Sequence, residues 1–308
     1  MVPVFNESLN IRVFVDAVKK QLELNTKNYE IIFSVDPSND GTEDIIRGLN
    51  QSDSRVKMIR MSRKFGQASC TLAGIRVAIG QAVIVMDVDL QDPPELIPEL
   101  ISAWQNGFSV VLAQRINRRG EPIIKKFVAS IGYKFLNRFA EVPIPKNTGD
   151  FRLLDRKVVN QLQRFHESNA FLRGLVALVG FKTTTVYFDR PARTHGFTKY
   201  NKWFGSFKIS LNGVVGYTTA LLNLSMFAGI FISLVAFLVG ATYGISKLVG
   251  GEYPIGNPTI VISVLAMGGL NLFFLGILGM YVSKIYEEVK SRPSFIIEDS
   301  VGIEEINF

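Results

Sequence analysis

Two long stretches without a charged residue, Ile209–Ser246 and Tyr253–Ser283, limit this chain more than any other feature. Each exceeds the ~20 apolar residues that carry a helix across a bilayer. Two membrane-spanning helices joined as a hairpin are therefore expected. Gly240-x-x-x-Gly244 in the first run and Gly276-x-x-Gly279 in the second offer small faces for helix contact. Lys199, Lys202 and Lys208 precede the first run, and Lys284, Lys290 and Arg292 follow the second. By the positive-inside rule both flanks belong in the cytoplasm. Between these flanks, Trp203, Phe204, Phe207, Leu211, Val214 and Val215 share one helical side, which predicts an interfacial helix over 201–216. No basic stretch followed by a short apolar one marks the amino end, so no secretory signal is expected there.

The residues before the spans carry the chemistry. Val83–Met86 is a short β-branched run, read as a strand buried on both faces. It leads into Asp87-Val88-Asp89-Leu90-Gln91-Asp92-Pro93-Pro94-Glu95. Strand alternation would put Asp87 and Asp89 on one face. Two carboxylates at the end of a buried strand call for a cation, and Mg²⁺ or Mn²⁺ takes carboxylates together with phosphate oxygens. Pro93 then opens a helix to Asn106. With one Cys and two His in the chain, an internal disulfide is excluded and a Cys/His zinc site nearly so.

Strand and helix alternate from the start. Pro3-Val4-Phe5-Asn6-Glu7 ends a first strand, with Ser8 as the expected N-cap of a helix to Leu24. Glu30–Val35 is a second strand, ending in Asp36-Pro37-Ser38-Asn39-Asp40-Gly41-Thr42. Val56–Met61 is a third, followed by Ser62-Arg63-Lys64-Phe65-Gly66-Gln67, a basic loop suited to a diphosphate. Strands Ser109–Gln114 and Thr183–Phe188 follow the central one. This order predicts a parallel, doubly wound α/β sheet. No glycine-rich dinucleotide fingerprint and no P-loop occurs. Lys125–Ala140 is a basic amphipathic helix whose stripe of Phe127, Ile131, Phe135 and Phe139 suits either a membrane surface or ordinary core.

These strings, with Asn147-Thr148-Gly149-Asp150-Phe151-Arg152 and Arg193-Thr194-His195-Gly196-Phe197-Thr198-Lys199-Tyr200, resemble family 2 glycosyltransferases of GT-A fold. The likeness is to the branch that loads a sugar onto a polyprenyl phosphate. It is nearer to bacterial bactoprenol glucosyltransferases than to dolichol-phosphate mannose synthases. Pro37, His195 and Thr198 depart from the family pattern. The resemblance implies a GT-A catalytic domain over 1–200, a membrane domain over 217–290 and a cytoplasmic tail over 291–308. It implies Asp87 and Asp89 as ligands of Mg²⁺ or Mn²⁺, and Asp89, Asp150 and Arg152 at the reaction centre. Pro3, Phe5, Glu7, Asp36, Lys64, Asp87 and Gln91 would hold the nucleotide sugar. Arg193 and Lys199 would grip the acceptor phosphate, the Arg as a planar fork and the Lys as a point charge.

The implied reaction is inverting transfer of glucose from UDP-glucose to undecaprenyl phosphate at the inner membrane, for lipopolysaccharide or other surface glycan. A homo-oligomer, up to a tetramer, is implied as well. GDP-mannose as donor stays open. A processive polysaccharide synthase is disfavoured, because Gln161-Leu162-Gln163-Arg164-Phe165 lacks that group's Trp and two spans are too few for a polymer channel. A membrane scaffold without activity would not need the acidic motifs. Nucleic-acid binding rests only on the net charge of +7, which the membrane flanks largely explain.

Overall fold

The computed structural model describes residues 1–116, 148–165, 172–189, 220–250 and 256–303. The expected helix 125–140, the interfacial helix 201–216, Arg193 and Lys199 lie outside the described residues. The chain divides into two units, one holding the sheets and one holding the two long apolar helices.

The first unit has two four-stranded sheets. Strands β1 (Val2–Val4), β2 (Ile31–Val35) and β3 (Val56–Met61) pair in parallel. Helices α1 (Ser8–Glu23) and α2 (Thr42–Ser52) make the crossovers. Helix α3 (Gln67–Val77) then leads to β4 (Ala82–Val85). A 3₁₀ turn at Pro94–Leu96 opens α4 (Ile97–Gln105), which precedes β5 (Val110–Arg115). Beyond the undescribed stretch come β6 (Thr148–Asp155), α5 (Arg156–Leu162), α6 (Leu172–Leu178) and β7 (Thr183–Phe188). The second sheet runs β4-β6-β5-β7, with β5 and β7 parallel. The sheets meet at residue 1: the Met1 amino group donates to Ile84 O at 2.8 Å and Met86 N–H donates to Met1 O at 3.2 Å.

Burial follows the alternation of the strands. Ile31, Phe33 and Val35 of β2 join Phe14 of α1 and Leu100 of α4 in one core layer. Ile32, between them in sequence, faces a second layer with Cys70 of α3, Val158 of α5 and Leu175 of α6. Helices thus cover both faces of the sheets, as the β-branched strands require.

Two antiparallel strands depart from the simple wound pattern. β6 lies between β4 and β5, antiparallel to both, with Arg152 opposite Val85 and Leu112. Gly149-Asp150-Phe151-Arg152 is therefore strand, and the helix cap nearby is Asp155, which accepts from Lys157 N–H at 2.9 Å. The other is β8 (Ile297–Val301), formed by the residues expected as a tail. It pairs antiparallel with β3, with Met58 opposite Val301 and Arg60 opposite Asp299. Phe295, just before it, is buried, which stabilises the join by roughly 2 kcal/mol.

Two local expectations are corrected. Glu7, not Ser8, occupies the N-cap position of α1, and Ser8 N–H is served by Asp40 Oδ2 at 3.0 Å. β4 stops at Val85, so Asp87 and Asp89 sit in a turn and strand alternation does not orient them.

The second unit contains α7 (Ala220–Leu248) and α8 (Asn257–Val289), which touch each other. Their stretches Leu222–Thr242 and Ala266–Val289 are long and apolar enough to cross a membrane. Phe227, Phe231, Phe237, Leu272 and Phe273 stand exposed, an apolar surface of the kind found where lipid or protein packs. Ser225 and Thr242 turn their hydroxyls back onto Leu222 O and Val239 O, both at 2.7 Å, so neither faces an apolar surround unbonded.

Candidate active site

The second sheet brings the two acidic motifs to one end. β6 runs against β4, so its amino end lies beside the carboxyl end of β4. Asp150 begins where the Asp87–Asp92 turn begins. The carboxyl end of β5, with Arg115, arrives at the same edge, because Gln114 pairs with Thr148. No periodicity in the sequence foretells this meeting.

The Asp87–Asp92 turn is tightly held. Leu90 adopts φ +56°, a left-handed conformation that costs a non-glycine residue about 1–2 kcal/mol. The turn closes as Gln91 N–H donates to Asp89 Oδ1 at 3.1 Å and Asp87 N–H to Asp92 Oδ2 at 3.2 Å. Asp89 and Asp92 are buried. Arg115 Nη2 lies 3.9 Å from Asp92 Oδ1. Asp87 Oδ1 accepts from the Gln67 side chain at 2.9 Å. Among the described residues no group of three His, Cys, Asp or Glu side chains gathers as a ready cage. The donors present are carboxylate oxygens with no sulfur or imidazole, which fits a hard divalent cation completing its shell with substrate oxygens.

Around Asp150 the charge is mostly positive. Arg173 Nε donates to its Oδ1 at 3.0 Å, and Arg152 Nη2 lies 3.7 Å from the same oxygen. Arg152 is only 1 % exposed. It donates to Gly149 O at 2.7 Å and Asp150 O at 3.2 Å, so its guanidinium braces the strand that carries the carboxylate. Burial lowers the Arg152 pKa to about 10, against the pull of Asp150. Burial works to raise the Asp150 pKa, but Arg173, Arg152 and Arg115 outweigh it and hold the carboxyl below its ordinary value. At Gly149 the Arg115 guanidinium packs close: a Cβ there would stand 3.1 Å from Arg115 Nη2 and push that side chain aside.

On the first sheet, Asp36 is buried at the end of β2. Its two oxygens accept from Phe65 N–H and Gly66 N–H, each at 2.9 Å. It thereby holds the Ser62–Gly66 loop. Pro3 is likewise buried, inside β1 opposite Ser34. Lys64 Nζ lies 3.5 Å from the centroid of the Phe5 ring. Glu7 accepts from Asn10 Nδ2 at 2.6 Å while its N–H donates to Thr42 Oγ1 at 3.0 Å. Of the residues expected at the donor, Phe5 and Lys64 thus touch, and Asp36 and Pro3 are buried.

Sequence reasoning missed four residues. Gln67, Asp92 and Arg115 were visible inside motifs without a role. Arg173 had one signal, a lone cation in the apolar helix Leu172–Leu178.

Residues 1–163 match the family described as Glycosyl transferase family 2. The chain is 40% identical to the SfII prophage-derived bactoprenol glucosyl transferase of Shigella flexneri, over 97% of this chain and 97% of that protein. It is 38% identical to the prophage bactoprenol glucosyl transferase homolog of Escherichia coli (strain K12), again over 97% of each. Identity is 40% to the uncharacterized glycosyltransferase YkcC of Bacillus subtilis (strain 168), over 99% of this chain and 94% of that protein.

Proposed function

Since the chain belongs to glycosyl transferase family 2 and is a glycosyltransferase of GT-A fold, we propose that it moves a sugar from a nucleotide donor onto a polyprenyl phosphate. The donor is UDP-glucose and the acceptor undecaprenyl phosphate. The anomeric carbon inverts in a single displacement. The observation that carries this reading is the meeting of Asp150, Arg152 and Arg173 with the Asp87–Asp92 turn, in a chain that also has two exposed apolar helices. It is supported by the near full-length likeness to bactoprenol glucosyl transferases.

Asp87 and Asp89 would hold Mg²⁺ or Mn²⁺, whose chemistry is to offset charge on the departing diphosphate. The chain's own residues do the rest. Lys64 and Phe5 line the donor side, Gln91 lies within the acidic turn, and Asp36 sets the loop. A phosphate monoester has a second pKa of about 6, so the acceptor needs no base to become a nucleophile. Asp150 therefore serves as the fixed counter-ion that keeps Arg173 and Arg152 aimed, with its proton already gone. Arg193 and Lys199 bind the acceptor phosphate. The helices α7 and α8 cross the inner membrane with the catalytic unit and both flanks on the cytoplasmic side, and the protein assembles as a homo-oligomer.

The deciding experiment offers purified protein, Mn²⁺ and undecaprenyl phosphate to labelled UDP-glucose and, in parallel, to GDP-mannose. Labelled lipid from UDP-glucose is expected. Equal or better use of GDP-mannose moves the chain to the mannose-synthase group, and a polymer product would make it a processive synthase.

A further inference from the structure

We infer that the residues following the second apolar helix, Ser294–Val301, are a positioning element for the donor side of the active site, acting through β3 and the Ser62–Gln67 loop. The inference deepens the proposed transferase reading and rests on it for the identity of the donor.

The contacts form an unbroken series. β8 lines β3 up to its last residue, with Met61 opposite Ile297 and a register shift between Arg60 and Met61. At that point Ser62 N–H donates to Ile296 O at 3.0 Å, so the first residue of the loop is fixed by the segment just before β8. The other end of the loop is fixed by Asp36, through Phe65 N–H and Gly66 N–H. Gln67 comes next and reaches Asp87 Oδ1 at 2.9 Å. A shift of Ser62 would therefore be felt by Lys64, which lies on Phe5, and by the side chain that orients a metal-ready carboxylate.

β8 is itself held firmly. Phe295 is buried in the core layer with Ile32, Met61 and Cys70, and Arg76 lies over its ring at 5.2 Å from the centroid. Arg47 pairs with Asp299, and Arg60 pairs with both Glu298 and Glu43. Only Lys290–Ser294 separate α8 from Phe295, so the strand is the first thing the chain builds on leaving that helix. Isolated surface ion pairs contribute little, but here they fix the register of a strand that a ladder already pairs.

The test uses full-length protein in lipid nanodiscs. Three variants are compared with wild type: Phe295→Ala, Asp299→Arg, and Asp299→Arg combined with Arg47→Asp, which restores the pair. The first readout is hydrogen exchange at the Ser62, Phe65 and Gly66 amides, with the amides of Ser8–Glu23 as internal control. Both single variants should exchange at least about tenfold faster in the loop while the control helix is unchanged, and the double variant should return toward wild type. The second readout is kinetic: KM for Mn²⁺ and for the nucleotide sugar should rise about three- to tenfold, with KM for the lipid unchanged. Loop exchange equal to wild type overturns the inference, as does faster exchange shared equally by the control helix. If wild-type protein turns over no nucleotide sugar, the transferase reading fails, and the exchange data still decide whether β8 positions the loop.

Discussion

Arg173, on α6, donates its Nε–H to Oδ1 of Asp150, on β6, at 3.0 Å. The two residues come from elements separated by α5 and meet at the edge where the Asp87–Asp92 turn begins. On the proposed reading, the pair lets this carboxylate sit near an anionic acceptor with little repulsion, because a guanidinium already offsets its charge.

Asp150→Asn is expected to lose most transfer activity at every pH, with the profile of the remainder unchanged. A steep recovery at high pH would instead mark Asp150 as a lost base and reopen the acceptor assignment.

Arg173→Ala should destabilise the protein by ~1.5–3 kcal/mol, the range for a hydrogen bond to a charged group. The folded Asp150 pKa lies below its unfolded value, so the pair's contribution is present above the unfolded pKa and is lost as pH falls through the folded one. Without Arg173, burial pushes that carboxyl upward, and the acid loss of stability should begin at higher pH. Urea unfolding of both proteins across pH 3 to 7 measures this; superimposable pH curves would remove the pair from the account.

Asp87→Ala and Asp89→Ala should each abolish transfer, and excess chelator should do the same to the wild type. Gln67→Ala, which removes the hydrogen bond to Asp87, should raise the Mn²⁺ concentration needed for activity by about 10- to 100-fold. Titrating Mn²⁺ into a labelled-lipid assay separates these outcomes, and full turnover in chelator would refute the metal role.

Asp36→Ala leaves two backbone N–H groups without their carboxylate and should cost ~1–3 kcal/mol of stability. It should also change Cys70. Burial, and then the nearby Asp36 charge, pushes that thiol well above its ordinary range. Native wild-type protein should therefore resist a thiol reagent at pH 8, and Asp36→Ala should label faster. Mass spectrometry reads both, and prompt labelling of native wild type contradicts the buried site.

Tags at Met1 and Phe308 should face the cytoplasm and a tag at Gly256 the opposite side. Arg193→Ala and Lys199→Ala should weaken use of the lipid while leaving UDP binding nearly intact. Protease protection of tagged cells and equilibrium UDP binding are the respective measurements; opposed termini would break the hairpin.

The strands, the acidic motif and the two apolar helices were legible because each is written in contiguous residues, though the motif's turn geometry was not. β-Branched runs ended at carboxylates, and the spans lacked charge. What was not legible came from pairing between distant segments. Nothing local says that Thr148–Asp155 inserts between β4 and β5, although that insertion is what delivers Asp150 to Asp87. Nor does Ile297–Val301, with its Glu298 and Asp299, look like a strand until Arg47 and Arg60 are seen beside it. Asp36 was found by its position at a strand end, but its partners are amides of a loop about thirty residues on, and backbone donors leave no mark in a sequence.

β8 also has a consequence for biosynthesis. Arg60 and its partner Glu298 are 238 residues apart, and both apolar helices are translated between them. The amino-terminal sheet therefore leaves the ribosome with the flank of β3 uncovered, an open edge of the kind that recruits stray strands. It can close only once α8 has been made. A chain stopped short of β8 would display that edge, whereas the finished chain hides it, so completion of the amino-terminal sheet waits on synthesis of both apolar helices.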